Sequence, residues 1–325
     1  MKYLTITAAL ALTVSTNAQA ASVIPSGMSV GVKLYTDGIT VAGVETVEDK
    51  GGRRVSPASD CGIKKGDIIY SANGHALSTI GELADELEAA PDGTVLEVRR
   101  GSETLTITAD PAETEDGTSK LGIWVRDSTA GIGTLTYFMP ENSSFAALGH
   151  GICDADTGNI LTVRSGNILK CADLSVKKSR RGDVGELDAV FSGPDMGDLY
   201  VNSTTGIYGS MKVPVKGEAI EAAEREDVHE GEAYILTDAA GNGVERYGVE
   251  LQKVNRDSTD SKAIVLKITD KRLLDAAGGI VRGMSGAPII QDGRLAGAVT
   301  HVFVNDPTRG YGIMAQTMLD DSVRY

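Results

Sequence analysis

The sequence predicts a mainly β protein of two domains, and three observations lead there. Its 325 residues exceed what a single core of ordinary size needs. It carries 39 glycines, and its apolar residues fall in short runs broken by turn signals. A clear helical period occurs in one stretch, near residues 79–89. A hydrophobic fraction of 41% beside 23% charged residues is that of a folded globular chain.

Taken in order, Met1-Lys2 gives a short positive start, residues 4–14 are largely apolar, and Ala18-Gln19-Ala20 is an A-x-A cleavage site. Residues 1–20 are therefore expected to be a signal peptide, cut after Ala20, that exports the chain; an anchor left in place fits the same residues. The run is short for a membrane-spanning helix. Residues 21–110 form the first expected domain. Residues 29–34 and 38–44 alternate as two strands about a turn at Asp37-Gly38. Ser56-Pro57-Ala58, Gly62-Ile63-Lys64-Lys65-Gly66-Asp67-Ile68-Ile69 and the turn Asn73-Gly74 come next. Thr79 and Glu82 then make a capping box, and Ile80, Leu83, Ala84 and Leu87 line one face of a helix. Strands at 95–100 and 104–107 close the unit. These phrases in this order resemble a PDZ domain of the kind attached to bacterial proteases. The resemblance implies a groove where a peptide C-terminus adds as a strand beside a carboxylate-binding loop. Ser29-Val30-Gly31-Val32 has the x-Φ-G-Φ pattern of such a loop; an ordinary edge strand fits the same residues.

Residues 111–120 are acidic and carry Pro and Gly, the composition of a linker. The second domain is expected over residues 121–325. It is a series of short apolar runs, among them 133–138, 160–163, 233–236, 263–268 and 295–299, as in a barrel or sandwich. Its most informative segment is Gly283-Met284-Ser285-Gly286-Ala287-Pro288. Glycines at −2 and +1 leave room for a substrate backbone at Ser285 and permit a tight turn. The Gly283 and Ser285 amides then become candidates for an oxyanion hole. G-x-S-G-x-P resembles the nucleophile loop of chymotrypsin-like proteases, which implies a double β-barrel fold. A serine hydroxyl needs a base. Of four histidines, His75 lies in the first domain and His229 in an acidic stretch, which leaves His150, in Ala147-Leu148-Gly149-His150-Gly151, and His301. The base precedes the serine in chymotrypsin-like chains, so His150 fits. Thr300 and His301 fall on the strand that lines the specificity pocket in such enzymes; a buried strand histidine is the other reading of His301. For the acid that orients the base, Asp188, Asp195, Asp198, Asp270 and Asp275 all lie in the right interval, and spacing does not choose among them.

The second half closely resembles the stage IV sporulation protein B peptidases. The shared phrases are Leu121-Gly122-Ile123-Trp124-Val125-Arg126-Asp127-Ser128, Gly131-Ile132-Gly133-Thr134-Leu135-Thr136, Ala147-Leu148-Gly149-His150, Gly278-Gly279-Ile280-Val281-Arg282-Gly283-Met284-Ser285-Gly286 and the stretch from Gly297 to Thr308. The resemblance implies a serine endopeptidase of the chymotrypsin-like clan behind a PDZ domain. His150 is then its catalytic histidine, Ser285 its nucleophile and Asp270 its proposed acid, with Asp188 as rival. It further implies export into the space between the two forespore membranes and self-cleavage. It also implies action on a regulator of an intramembrane protease, so that a late mother-cell sigma factor is activated. A PDZ adaptor with an inactive protease-like barrel is the competing reading.

The expected partners are protein or peptide substrates, peptide C-termini or a second copy at the PDZ domain, and a membrane-associated substrate complex. A net charge of −14 argues against nucleic acid. Three cysteines without CxxC spacing and four histidines give no metal or disulfide framework, although Cys153 and Cys171 are free to pair in an exported chain. No cofactor is expected.

Overall fold

The alternating residues of Ser29–Val44 form one continuous strand in the computed structural model, which describes residues 21–155 and 158–322 and, of these, leaves aside the side chains of 192–194. The expected signal peptide lies outside the described residues. Asp37-Gly38, expected as a turn, sits inside this strand, where Gly38 takes φ +88° and bends the chain without reversing it. A second long strand, Ile123–Met139, runs antiparallel to it from Ile123 opposite Val44 to Thr134 opposite Ser29. Each strand serves two domains, one at each end.

At one end the pair belongs to a first barrel. Residues 29–36 pair on one side with 128–134 and on the other with Val163–Lys177. The ring continues through Glu186–Ser203, Gly206–Met211 and Ser144–Ala147 and returns to Ile123–Met139, closing six strands. Its core holds Val30, Leu34, Leu135, Phe145, Ile168 and Leu199, all nearly inaccessible. At the other end, residues 39–44 and 123–126 join Ile68–Ala72, Thr94–Arg100 and Glu103–Ala109 around a separate core of Ile39, Ile69, Leu83, Leu87, Leu96 and Val98. Helix Ile80–Ala89 covers that sheet, and its Thr79–Glu82 capping box is formed. Here the sequence pattern and the structure coincide.

Two expected boundaries move. The first domain does not occupy 21–110, because residues 22–25 and 29–36 are strands of the first barrel and residues 123–126 complete the PDZ sheet. Nor is 111–120 an open linker, since Ala112–Glu113 pairs with Ser119–Lys120 as a hairpin. Which strands neighbour one another is set by register across distant residues, which local composition does not encode.

The second barrel is simpler. Strands Gly231–Thr237, Glu245–Val254, Ile264–Ile268, Pro288–Gln291, Arg294–Val302 and Arg309–Met314 close on themselves in the order one, two, three, six, five, four. Ile235, Leu266, Ile289 and Val299 fill it, each such burial contributing about 1.5–3 kcal/mol. Tyr137, Tyr208, Leu295, Ile313 and Met318 pack between the barrels. The molecule is thus a PDZ domain and a double-barrel protease fold of the chymotrypsin type.

Candidate active site

Two tight turns meet where the barrels face each other. The first follows Ser144–Ala147. Leu148 takes φ +70°, uncommon for a side chain of its size, and Gly149 follows at φ +70°. A Cβ on Gly149 would stand 2.9 Å from the Thr300 methyl, so the turn both needs and exploits glycine. It carries His150 into the seam. The second turn, Gly283 to Gly286, is flanked by left-handed glycines at φ +99° each. A Cβ on Gly286 would lie 2.0 Å from the Thr134 carbonyl, so only glycine lets the nucleophile turn approach the first barrel this closely.

Thr134 holds both turns, a role that its place in the shared phrase at 131–136 does not reveal. Fully buried, its amide donates to the Ser285 carbonyl at 2.8 Å and its hydroxyl to the Gly283 carbonyl at 2.8 Å, while its own carbonyl accepts from the Leu148 amide at 3.2 Å. With those carbonyls turned toward the first barrel, the Gly283 and Ser285 amides donate to no backbone carbonyl among the described residues. Leu187 packs against Gly283 from beneath.

Ser285, His150 and His301 line one cleft of about 490 Å³. Val32, Ala130, Ile132, Leu148 and Ile152 make its walls largely apolar, Arg282 is the formally charged residue on its lining, and no carboxylate lines it among the described residues. His150 Nδ1 lies 2.9 Å from the Gly151 carbonyl. A carbonyl only accepts, so Nδ1 carries the proton and Nε2 the lone pair, which is the tautomer a general base requires. Burial lowers the His150 pKa from its ordinary 6.5, partly offset by that carbonyl. The Ser285 hydroxyl donates to the Thr300 carbonyl at 2.7 Å and must rotate away from it to meet a base. The His301 ring stands 4.8 Å from that of His150, centre to centre, tilted by 35°.

The expected acids lie elsewhere. Asp270 caps helix Lys271–Ala277, accepting from the Arg272 amide at 2.9 Å and from the Arg272 guanidinium at 2.9 and 3.2 Å. Arg272 holds its carboxyl below the usual range. This carboxylate is committed to the helix start. Asp188 is exposed, opposite Ser175 in the hairpin of the first barrel. Neither lines the cleft. Thr300 is also displaced from its expected pocket role: its hydroxyl donates to the Ser261 carbonyl at 2.5 Å, and only its backbone faces Ser285. Cys61, Cys153 and Cys171 are all free thiols, Cys153 at the mouth of the cleft.

Ser29–Val32, expected as a carboxylate-binding loop, is an interior strand segment. Both edges of this segment are paired, Ser29 to Val32 with residues 134 to 131 and Val30 to Val32 with residues 170 to 168. Ser29 also donates its hydroxyl to Asp238 at 2.5 Å. No edge is left there for an added strand. The same x-Φ-G-Φ pattern recurs at Lys120-Leu121-Gly122-Ile123, which borders a groove of about 820 Å³ beneath Ile80, Leu83, Ala84 and Leu87 of the capped helix. Gly122 takes φ +73°, and a Cβ there would lie 2.4 Å from the Glu45 carbonyl.

The SpoIVB peptidase S55 family matches residues 117–319, well over half of the chain. The chain belongs to this peptidase family. A PDZ domain matches residues 50–100. Among curated proteins, the periplasmic serine endoprotease DegP of Escherichia coli is 40% identical over 50 residues, 15% of this chain and 10% of DegP. The chain thus matches about a tenth of the length of that relative. Solved structures with partial likeness include the HtrA-type protease AlgW with a decapeptide, at 9% identity over 92% of this chain and 64% of that one, TM-score 0.38. Others are Rv3671c from M. tuberculosis in an inactive form, at 11% over 59% and 80%, TM-score 0.32, and the PDZ domain of a Listeria monocytogenes SdrC-like protein, at 23% over 28% and 90%, TM-score 0.23. PDZ and peptidase family together mark proteins and peptides as what this chain handles.

Proposed function

We propose that this chain is a serine endopeptidase in which Ser285 is the nucleophile and His150 the general base. The observation that supports it best is the convergence, at the seam, of a base in its accepting tautomer and a serine whose turn presents two free amides. The Ser285 hydroxyl leaves the Thr300 carbonyl and gives its proton to His150 Nε2 as Oγ attacks a peptide carbonyl. The Gly283 and Ser285 amides receive the oxyanion. His150 returns the proton to the leaving amine, and water, deprotonated in turn by His150, releases the acyl group. In this mechanism the Gly151 carbonyl fixes the tautomer of the base.

The groove under helix Ile80–Ala89 is the proposed peptide site of the PDZ domain. Lys120 to Ile123 receive the terminal carboxylate, and Leu83 and Leu87 face the last apolar side chain. In keeping with the family, we propose an exported protease that cleaves itself and, in sporulation, a regulator of an intramembrane protease. The deciding experiment treats the chain from Ala21 with a fluorophosphonate probe, wild type beside Ser285→Ala. Labelling of the wild type alone supports an activated serine. Absence of labelling in both favours the inactive adaptor.

A further inference from the structure

His301 stands in an unusual position. It is partly buried, lines the same cleft as Ser285, and its Nδ1 is inaccessible and without a hydrogen-bond partner among the described residues. A buried ring nitrogen left unpaired opposes folding. A phenylalanine would fill nearly the same space without that penalty, so packing alone does not account for a histidine here. Its neighbour is the base: the two rings are tilted by 35°, and their centres are 4.8 Å apart, a separation at which aromatic rings pack in contact. Among the described residues no carboxylate lines the cleft. Asp270 is held by Arg272, and Asp188 is exposed in the hairpin of the first barrel.

We propose that His301 is a positioning residue for His150, bracing the ring of the base in the orientation that meets the Ser285 hydroxyl. This rests on the reading of Ser285 and His150 as the working pair. The His150 ring is tethered at one edge by the Gly151 carbonyl. A second ring against its face removes the remaining freedom to swing about that tether. Once His150 takes the serine proton, the neutral His301 ring 4.8 Å away sets no second charge against it. The brace works only while uncharged, and burial, with the His150 and Lys262 charges nearby, lowers the His301 pKa to about 4.

The test uses the full chain, casein as substrate and a fluorophosphonate as a small probe that does not depend on peptide subsites. His301→Ala is expected to slow labelling and to lower kcat by the same factor, about tenfold or more, with KM changed less than about twofold. His301→Phe restores the ring and is expected to recover both to within about threefold of wild type. Asp270→Asn is expected to label like wild type. A raised KM with unchanged labelling in His301→Ala would make His301 a wall for substrate and overturn the proposal. So would loss of labelling in Asp270→Asn, which would return the orienting role to a carboxylate. Should His301→Ala fail to fold, a folded but unlabelled His301→Phe overturns the proposal, and a folded, labelled one supports it. A wild-type chain that does not label fails before any substitution at 301 is made, and that outcome removes the serine–histidine reading and this proposal together.

Discussion

The two barrels bring different kinds of information to the site. The second is built from six strands consecutive in the chain, 231–314, and its contribution to catalysis, Gly283 to Gly286, is a contiguous local motif. The first is assembled from strands on both sides of a folded insert. Its contributions are the Thr134 amide, carbonyl and hydroxyl and the left-handed Leu148-Gly149 turn that carries His150. A motif written in side chains can be found by inspection. A site written in carbonyl directions emerges only when distant strands close. The seam therefore depends on both barrels equally, although one of them announces itself.

That symmetry can be broken from either side. The largest effect is expected from Ser285→Ala, which removes the second barrel's nucleophile. Hydrolysis of casein should fall on the order of a millionfold with the fold intact by circular dichroism. Thr134→Val tests the first barrel's share. It keeps the amide bond to Ser285 but leaves the buried Gly283 carbonyl without its 2.8 Å donor. We expect kcat to fall about tenfold and thermal unfolding to report a loss of about 1–3 kcal/mol. Equal kcat for Thr134→Val and wild type would show that the second barrel sets its own oxyanion geometry.

Acidification probes the histidines that face each other across the seam. His150 must be neutral to accept a proton, and burial lowers its pKa, so the acid limb of kcat/KM should lie below pH 6.5. His301 is lowered from 6.5 to about 4 in the folded chain. Between those values the unfolded chain binds more protons, so stability should decline as pH falls from 6.5 toward 4. An acid limb at or above 6.5 would place His150 in a wetter site than the cleft described. The smallest catalytic effect is expected from Asp270→Ala. It removes a helix cap and should lower stability by about 1 kcal/mol in urea unfolding, while kcat stays within about twofold.

Much of the molecule was legible. The Thr79–Glu82 box specified a helix end because its partners lie three residues apart. The Ser285 turn was legible because its glycines are demanded at fixed offsets. By contrast, x-Φ-G-Φ recurs along the chain, and its copies at Ser29–Val32 and at Lys120–Ile123 look alike until pairing is known. One is enclosed by strands on both edges, and the other borders a groove. Asp270 shows the same limit. An aspartate two residues before an arginine at a helix start is a cap by local physics, and its interval before Ser285 carried no three-dimensional meaning.

The register of the two long strands also bears on how this architecture can be cut. Tyr35 lies directly across from Ser128, so the PDZ unit leaves and re-enters the first barrel at adjacent points. Topologically it is a hairpin turn that has grown into a domain. A longer loop adds only about 0.6 kcal/mol per doubling, and an insert with its own core keeps its two ends side by side. Trimming from the N-terminus to residue 110 would tear residues 29–36 out of the barrel that carries His150. The minimal protease is instead the chain in which a short turn joins Tyr35 to Ser128.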